Sequence, residues 1–237
     1  MALVNRPPAL CKGDRVGIVA PASAFDRERF SLGVQTLLHM GYTPVFTEAL
    51  FAKSGYFAGT ESHRTDAIHQ FFKEPEIKAL WAVRGGYGSL RLLENIDYDL
   101  IRRHPKIFIG SSDISALLLA IRNRCELATF HGPMISSLAE ADESTLNGLS
   151  AALNGSEVII KAEAPVVIRP GAAAGPVLGG NLATICHMLA TPYAPDFSGC
   201  ILFLEDIGEK PYRIDRMLTQ MRLAGCFDGI AALVLGS

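Results

Sequence analysis

Three loops that follow apolar, strand-type runs carry the residue types that could do chemistry. The clearest is Gly110-Ser111-Ser112-Asp113 after KIFI, because a serine at a sharp strand-to-helix turn is the nucleophile of the G-x-S-x-G elbow. The second glycine of that pattern falls on Ile114, so the match is incomplete. Ser112 is the candidate nucleophile, and the backbone amide of Asp113 is a candidate donor to an oxyanion. The spacing fits a helix N-cap by Ser112 or Asp113 at least as well.

Small-residue loops also follow two other strand-type runs, APAS at 20–23 and RGGYGS at 84–89. The carboxyl ends of parallel strands meet at one crevice, so the three loops together predict a site at that edge of the sheet. RGGYGS has neither the Walker spacing nor a clean G-x-G-x-x-G pattern, which leaves weak support for phosphate binding. Its backbone amides could instead hold a carboxylate or contribute to an oxyanion hole. Taken singly, each loop also fits an ordinary tight turn.

Charged residues cluster in the segment LEDIGEKPYRIDR at 204–216. Glu205 ends an apolar run, and a carboxylate in that position could orient a histidine. Arg213 and Arg216 are three residues apart on a helix-type segment, so they share one face. They could bind a substrate carboxylate. A capped helix with surface ion pairs is the alternative interpretation.

The remaining polar residues predict neither a metal nor a cofactor. The six histidines include no pair at a metal-ligand spacing, and the five cysteines include no CxxC pair. His131, in TFHGPM, is the histidine best placed to lie near the site, although a histidine bonded to the backbone is the favoured interpretation. The odd number of scattered cysteines fits reduced thiols and predicts a cytoplasmic protein.

Composition restricts the partners that this chain could have. The sequence has 237 residues, is 49% hydrophobic and carries a formal net charge of −2. Such a charge gives no reason to expect nucleic acid or an anionic membrane. The sequence also contains neither a signal peptide pattern nor an apolar stretch of the roughly 18 residues that span a bilayer. We therefore expect neither a nucleic acid nor a membrane as partner.

Short strand-type runs alternate with helix-type segments, which predicts an α/β fold with a mostly parallel sheet flanked by helices. The composition turns to Ala, Pro and Gly over 154–175, which predicts a linker. An N-terminal α/β domain at 1–153 would carry the nucleophile, and 176–237 would form a smaller, incomplete C-terminal α/β domain. The predicted strands are 15–20, 43–46, 77–83, 107–110, 200–205 and 229–236, and the predicted helices are 26–40, 61–72 and 212–225.

Seven stretches, taken together and in order, resemble the LD-carboxypeptidase family, which includes the microcin C immunity peptidases. They are GDRVGIVAPAS, YFAGTESHRTDAIHQFF, LWAVRGGYGSLRLL, FIGSSDISALL, HGPM, GGNLATICHMLATPY and LFLEDIGEKPYRIDRML. The resemblance implies a cytoplasmic serine peptidase that cleaves an L,D peptide bond. The usual reaction is release of the terminal D-alanine from murein tetrapeptide during cell-wall recycling. A homodimer is also implied.

The resemblance also implies a role for individual residues. Ser112 would be the nucleophile and Glu205 the acid of a Ser-Glu-His triad split between two domains. The amides of Asp113 and Gly86 would form the oxyanion hole. The family histidine follows the last strand by several dozen residues, whereas this sequence has no histidine after Glu205.

We therefore expect a truncated chain with impaired turnover, because a serine without a base is a weak nucleophile. Loss of the histidine from a comparable triad costs about 10⁶ in turnover, and we do not expect His131 to replace it. A natural short homologue that binds muropeptides or a partner without cleaving them is the alternative. A nucleotide-binding module would rest on RGGYGS alone.

Overall fold

The computed structural model describes residues 4–161 and 165–236, which form two sheets in which every named strand pair is parallel. The first sheet has the strand order β2-β1-β3-β4-β5, and the second has the order β6-β7-β8. This arrangement confirms the predicted α/β fold with a second, smaller sheet. The strands are β1 (Arg15–Val19), β2 (Thr43–Val45), β3 (Ile77–Ala82), β4 (Ile107–Gly110), β5 (Phe130–His131), β6 (Val177–Asn181), β7 (Ile201–Glu205) and β8 (Ala232–Leu235).

The helices predicted over 26–40, 61–72 and 212–225 are confirmed, with ends that differ from the prediction by at most two residues. The Asp26 carboxylate accepts a hydrogen bond from the Arg29 amide at 2.9 Å and caps the first helix, which ends before Gly41 at φ +93°. The α-helices are α1 (Arg27–His39), α2 (Glu61–Lys73), α3 (Tyr98–Arg103), α4 (Ser115–Cys125), α5 (Ile135–Leu138), α6 (Glu143–Leu153), α7 (Leu182–Met188) and α8 (Pro211–Leu223). Short 3₁₀ turns span Glu48–Phe51, Leu90–Asn95 and Ser112–Ile114.

Strands β3 and β4 form the buried centre of the first sheet. All four residues of β4 and all but Lys78 of β3 are buried. A parallel sheet is covered by helices on both faces, so its central strands consist of nearly continuous apolar residues. The loops at the ends of these strands are therefore held by a rigid core.

Helix α4 joins the two sheets. Its sequence SALLLAI is small or apolar at every position, and all seven of these residues are buried. It packs in one apolar cluster with Leu182 and Ile185 of α7. Because α4 begins three residues after Ser112, the candidate nucleophile lies where the two sheets come together.

The predicted linker contains neither helix nor strand among its described residues, which are 154–161 and 165–175. The domain boundaries at 153 and 176 stay predictions. Strand β8 pairs with β7 on one side, and its residues Leu233, Val234 and Leu235 are 43–51% exposed. Across residues 4–161 and 165–236, no helix combines the length and apolar character needed to cross a membrane.

Candidate active site

Ser112 occupies a strained turn between β4 and α4. Its φ of 56° lies in the left-handed region, which a residue with a side chain rarely adopts. The Ile114 amide donates to the Ser111 carbonyl at 3.1 Å and closes the turn. A Cβ on Gly110 would lie 2.5 Å from Cγ2 of Ile114, so the turn requires glycine there. This backbone distinguishes Ser112 from Ser111, which is extended.

The helix-cap interpretation of Ser112 and Asp113 is wrong. The N-cap residue of α4 is Ile114 and that of the preceding 3₁₀ turn is Ser111, and neither helix start has a side-chain capping hydrogen bond. The Asp113 carboxylate instead accepts from the Ser89 amide at 2.8 Å, and the Ser89 hydroxyl donates to the Asp113 carbonyl. Asp113 therefore connects the nucleophile turn to the RGGYGS loop.

Two adjacent glycines of the RGGYGS loop face different neighbours. A Cβ on Gly85 would lie 3.2 Å from Oγ of Ser112 and 3.2 Å from the amide nitrogen of Asp113. A Cβ on Gly86, where φ is +95°, would lie 2.3 Å from Oγ of Ser23 in the APAS loop. Gly85 is thus the glycine that lies against Ser112, and sequence reasoning did not single it out; the oxyanion role of Gly86 stays a prediction. The Gly-Gly pair was its signal, but nothing local says which of the two faces the serine.

The carboxyl ends of three strands form one cavity of about 370 Å³. Ser112 reaches it after β4, His131 ends β5 and Glu205 ends β7. Residues that are far apart in sequence, and that belong to both sheets, therefore share one space. The lining residues are Ser111, Ser112, His131, Gly132, Phe203, Glu205, Ile207 and Gly236.

Glu205 is a poorly solvated carboxylate in this cavity. Its Oε1 is buried and has no hydrogen-bond partner among the residues that the structure describes. Burial raises the pKa of Glu205, the nearby charge of Asp206 raises it further, and a hydrogen bond with Asn181 opposes both effects. An acceptor in this state is ready to receive an N–H donor.

His131 lies beside Glu205, with 3.8 Å between Nε2 and Oε1, which is longer than a hydrogen bond. Its ring packs edge-on against Phe203 at a centroid distance of 5.7 Å. Burial lowers the pKa of His131 and favours the neutral imidazole. The expectation that backbone groups would satisfy this ring is wrong, because within residues 4–161 and 165–236 its polar contact is the one to Glu205, and burial without any hydrogen bond accounts for its lowered pKa.

Arg213 and Arg216 do not line this cavity. Nη1 of Arg213 lies 3.3 Å from Oε2 of Glu209, which precedes α8 and is four residues away in sequence. The guanidinium of Arg216 lies over the ring of Tyr212, 5.6 Å from its centroid. The geometry therefore favours local ion pairing over substrate binding for Arg213.

Metal binding gains no support from the described part of the chain. No cluster of three or more His, Cys, Asp or Glu side chains within residues 4–161 and 165–236 could hold a metal ion. The absence of a metal or cofactor stays a prediction.

Comparison with known proteins adds two family matches and several relatives. Residues 16–132 match the LD-carboxypeptidase N-terminal domain, and residues 174–237 match the LD-carboxypeptidase C-terminal domain. The chain is 38% identical to a probable murein peptide carboxypeptidase from Bacillus subtilis, over 99% of this chain and 75% of that protein. It is 34% identical to the murein tetrapeptide carboxypeptidase of Pseudomonas aeruginosa, over 94% of this chain and 76% of that protein.

A solved structure has the same architecture. The MccF-like protein from Bacillus anthracis superposes with a TM-score of 0.90 at 29% identity, covering 98% of this chain and 80% of that one. Both the sequence relatives and this structure therefore extend over nearly the whole chain.

Proposed function

The chain belongs to the LD-carboxypeptidase family, and on that premise we propose that it is built as a cytoplasmic serine carboxypeptidase. Its substrate would be a muropeptide, most simply the murein tetrapeptide, from which it releases the terminal D-alanine in cell-wall recycling. The observation that carries the proposal is the left-handed turn that presents Ser112 to the cavity shared with Glu205.

In the proposed reaction, Oγ of Ser112 attacks the carbonyl carbon that precedes the terminal D-alanine. The carbonyl oxygen becomes an oxyanion, which the backbone amides of Asp113 and Gly86 would stabilise. The proximity of Gly85 to Ser112 makes it a further candidate donor. Collapse of the intermediate breaks the peptide bond, the D-alanine amine takes up a proton, and water then hydrolyses the acyl-enzyme.

Glu205 would act by orienting a histidine that takes the proton of Ser112. His131 is the histidine among the residues that line the described cavity, and its Nε2 lies 3.8 Å from Oε1 of Glu205, so Glu205 does not orient it by a hydrogen bond. Because an unassisted serine is a weak nucleophile, we expect D-alanine release by this chain to be slow.

The test is D-alanine release from purified murein tetrapeptide by the unmodified chain and three variants. Slow release should disappear in Ser112→Ala and persist in Ser111→Ala, which removes the neighbouring hydroxyl without changing the strained turn. Release that survives Ser112→Ala would contradict the nucleophile assignment. Release that His131→Ala abolishes would show that His131 supplies the base.

A binding protein without peptidase activity is the second candidate function, favoured by the 3.8 Å between Nε2 of His131 and Oε1 of Glu205, which is too long for a hydrogen bond. It predicts that calorimetry detects tetrapeptide binding while no D-alanine appears, in the unmodified chain and in Ser112→Ala alike. A homodimer, which the family resemblance implies, is a separate prediction that sedimentation velocity can test.

A further inference from the structure

Arg64 of α2 is a buried cation among the candidate active-site loops. The residue is 2% exposed. Its Nη1 donates to the Pro21 carbonyl at 2.6 Å and to the Gly88 carbonyl at 3.0 Å. Pro21 belongs to the APAS loop and Gly88 to the RGGYGS loop, so one nitrogen atom ties two of the three loops together.

Two other hydrogen bonds hold the residues on either side of Gly88. The Tyr87 amide donates to Oγ of Ser23 at 2.9 Å, and the Ser89 amide donates to the Asp113 carboxylate at 2.8 Å. Three consecutive residues are thus held by the loop after β1, by helix α2 and by the turn after β4. Of these three hydrogen bonds, the one to Gly88 has a positively charged donor, the guanidinium of Arg64, whereas the other two have backbone amides as donors.

The contact between Arg64 and Gly88 leaves no room for a side chain. Gly88 has φ +130°, and a Cβ there would lie 2.9 Å from Nη1 of Arg64 and 2.8 Å from Cδ1 of Phe57. The guanidinium also lies 4.9 Å from the centroid of the Phe57 ring. The loop backbone is therefore fitted closely to this one side chain.

Stability alone is a poor explanation for Arg64. The guanidinium has no carboxylate partner among the described ion pairs, and its buried Nε and Nη2 make no hydrogen bond to any described residue. Burying an unpaired charge is costly, and an apolar side chain in its place is often neutral or stabilising. The gain from Arg64 must lie in what it positions.

We infer that Arg64 is a positioning residue, which sets the position of the loop 84–89 and hence of the Gly85 and Gly86 amides beside Ser112. The inference rests on the proposed role of Ser112. It predicts that loss of the guanidinium lowers the affinity for a tetrahedral ligand on Ser112 by more than the loss of stability explains.

Lys106 provides a matched control. It is a second buried cation, 7% exposed, whose Nζ donates to the carbonyls of Phe71, at 2.7 Å, and Glu74. It precedes β4, at the opposite end of the strand from Ser112. Lys106→Met therefore removes the same kind of interaction from the same sheet without touching the loop.

The probe is an N-acetyl-L-aminoalkyl boronic acid, in which boron replaces the carbonyl carbon that Ser112 would attack. Oγ of Ser112 bonds to boron, its proton leaves to water, and a hydroxyl on boron takes the oxyanion position. The ¹¹B NMR signal reports the tetrahedral adduct, and titration gives its dissociation constant. Hydrogen exchange followed by mass spectrometry reports the amides of 84–89, and urea denaturation reports stability.

We expect Arg64→Met to weaken boronate binding by about tenfold or more and to speed exchange in 84–89 by a similar factor. Lys106→Met should keep the boronate affinity within about twofold, whatever change in stability the urea denaturation shows. Unchanged affinity and exchange in Arg64→Met, or an equal loss of affinity in Lys106→Met, would overturn the inference.

Two further variants keep the test decisive. If Arg64→Met does not fold, Arg64→Lys retains the charge without the planar fork, and faster exchange in 84–89 is expected with the fold intact. Exchange as slow as in the unmodified chain would overturn the inference. If the unmodified chain and Ser112→Ala both fail to form the adduct, the proposed function fails, while loop exchange in the Arg64 variants still decides the inference.

Discussion

The polar groups around Ser112 and around Glu205 are satisfied to different degrees. On the serine side, residues 87–89 are each tied to a different part of the fold by a hydrogen bond of 2.8–3.0 Å. On the glutamate side, the buried Oε1 has no partner among the described residues, and burial raises the pKa of the carboxyl. The nucleophile region is therefore preorganised by its own residues, whereas the glutamate region is ready to accept a donor from elsewhere.

The same contrast runs through the strands that carry the two residues. Strand β4, which precedes Ser112, is buried along its whole length, whereas β7, which ends at Glu205, pairs with the half-exposed strand β8. Central strands are covered on both faces, but an edge strand leaves one side unpaired. We therefore expect the first sheet to contribute most of the stability of the chain and to fix the backbone geometry of Ser112.

The largest effect should come from Trp81 in β3, which is fully buried and whose Nε1 donates to the Pro133 carbonyl at 2.8 Å. Trp81→Ala should lower the free energy of unfolding by about 3–5 kcal/mol. Leu233→Ala, on the half-exposed strand β8, should cost less than about 1 kcal/mol. Urea denaturation followed by circular dichroism measures both. Equal losses would remove the proposed difference between the sheets.

The next effect concerns the space beside Ser112. Gly85→Ala would place a methyl group 3.2 Å from Oγ of Ser112 and from the Asp113 amide nitrogen. We expect the affinity for the boronic acid to fall on the order of 100-fold, because the methyl crowds the position of the oxyanion. Stability should change little.

Gly132→Ala is the control for Gly85→Ala, since Gly132 lines the same cavity and its Cβ would meet nothing closer than 3.8 Å. It should leave boronate binding unchanged. A similar loss of affinity in both variants would mean that the cavity as a whole, rather than the Gly85 position, limits binding.

A smaller effect is expected on the pH dependence of stability, and it differs in sign between Glu205 and His131. Because the pKa of Glu205 is raised above its ordinary value of 4.5, the folded chain holds a proton that the unfolded chain releases. Stability should therefore fall as pH rises from about 4.5 through the folded pKa. Glu205→Gln should remove this fall and stabilise the chain at neutral pH, as measured by urea midpoints across that range.

His131 should produce the opposite slope. Its pKa is lowered below 6.5, so stability should fall as pH drops below that value, and His131→Phe should remove this loss. If Glu205→Gln and His131→Phe changed the pH profile in the same direction, burial would not be the cause that dominates at both residues.

The smallest effect is expected on the surface of α8. Arg213, with a side chain 56% exposed, pairs with Glu209. Arg213→Ala should not shift the urea midpoint measurably, because solvent screens such pairs. Calorimetry with the tetrapeptide then tests its predicted role in substrate binding. A loss of affinity of about tenfold would support that role, and affinity within about twofold would support local ion pairing.

Residue patterns predicted the larger elements well because their signals are local. The predicted helices 26–40 and 212–225 agree with α1 and α8 to within two residues, and Gly41 and Gly225, both at positive φ, follow the ends of these helices. Helices α3 and α6 were not predicted, although Asp97 and Asp142 cap them in the same way. Their apolar repeats are too short to stand out from the surrounding loops.

The candidate site also contains residues that the sequence identifies and contacts that only the folded structure shows. Ser112 and Glu205 follow from a turn motif, a strand end and the family resemblance, all of which can be read along the chain. Three other features depend on packing between segments that are distant in sequence. Gly85 lies against Ser112, Arg64 is buried among the loops, and His131 lies beside Glu205. The pattern of apolar residues along a helix or strand depends on residues that are close in sequence. These contacts depend instead on the order of the strands in each sheet and on the packing of α4 between the two sheets. The GSSD turn can therefore be identified from the sequence, whereas the residues that contact it are brought together only by the tertiary structure.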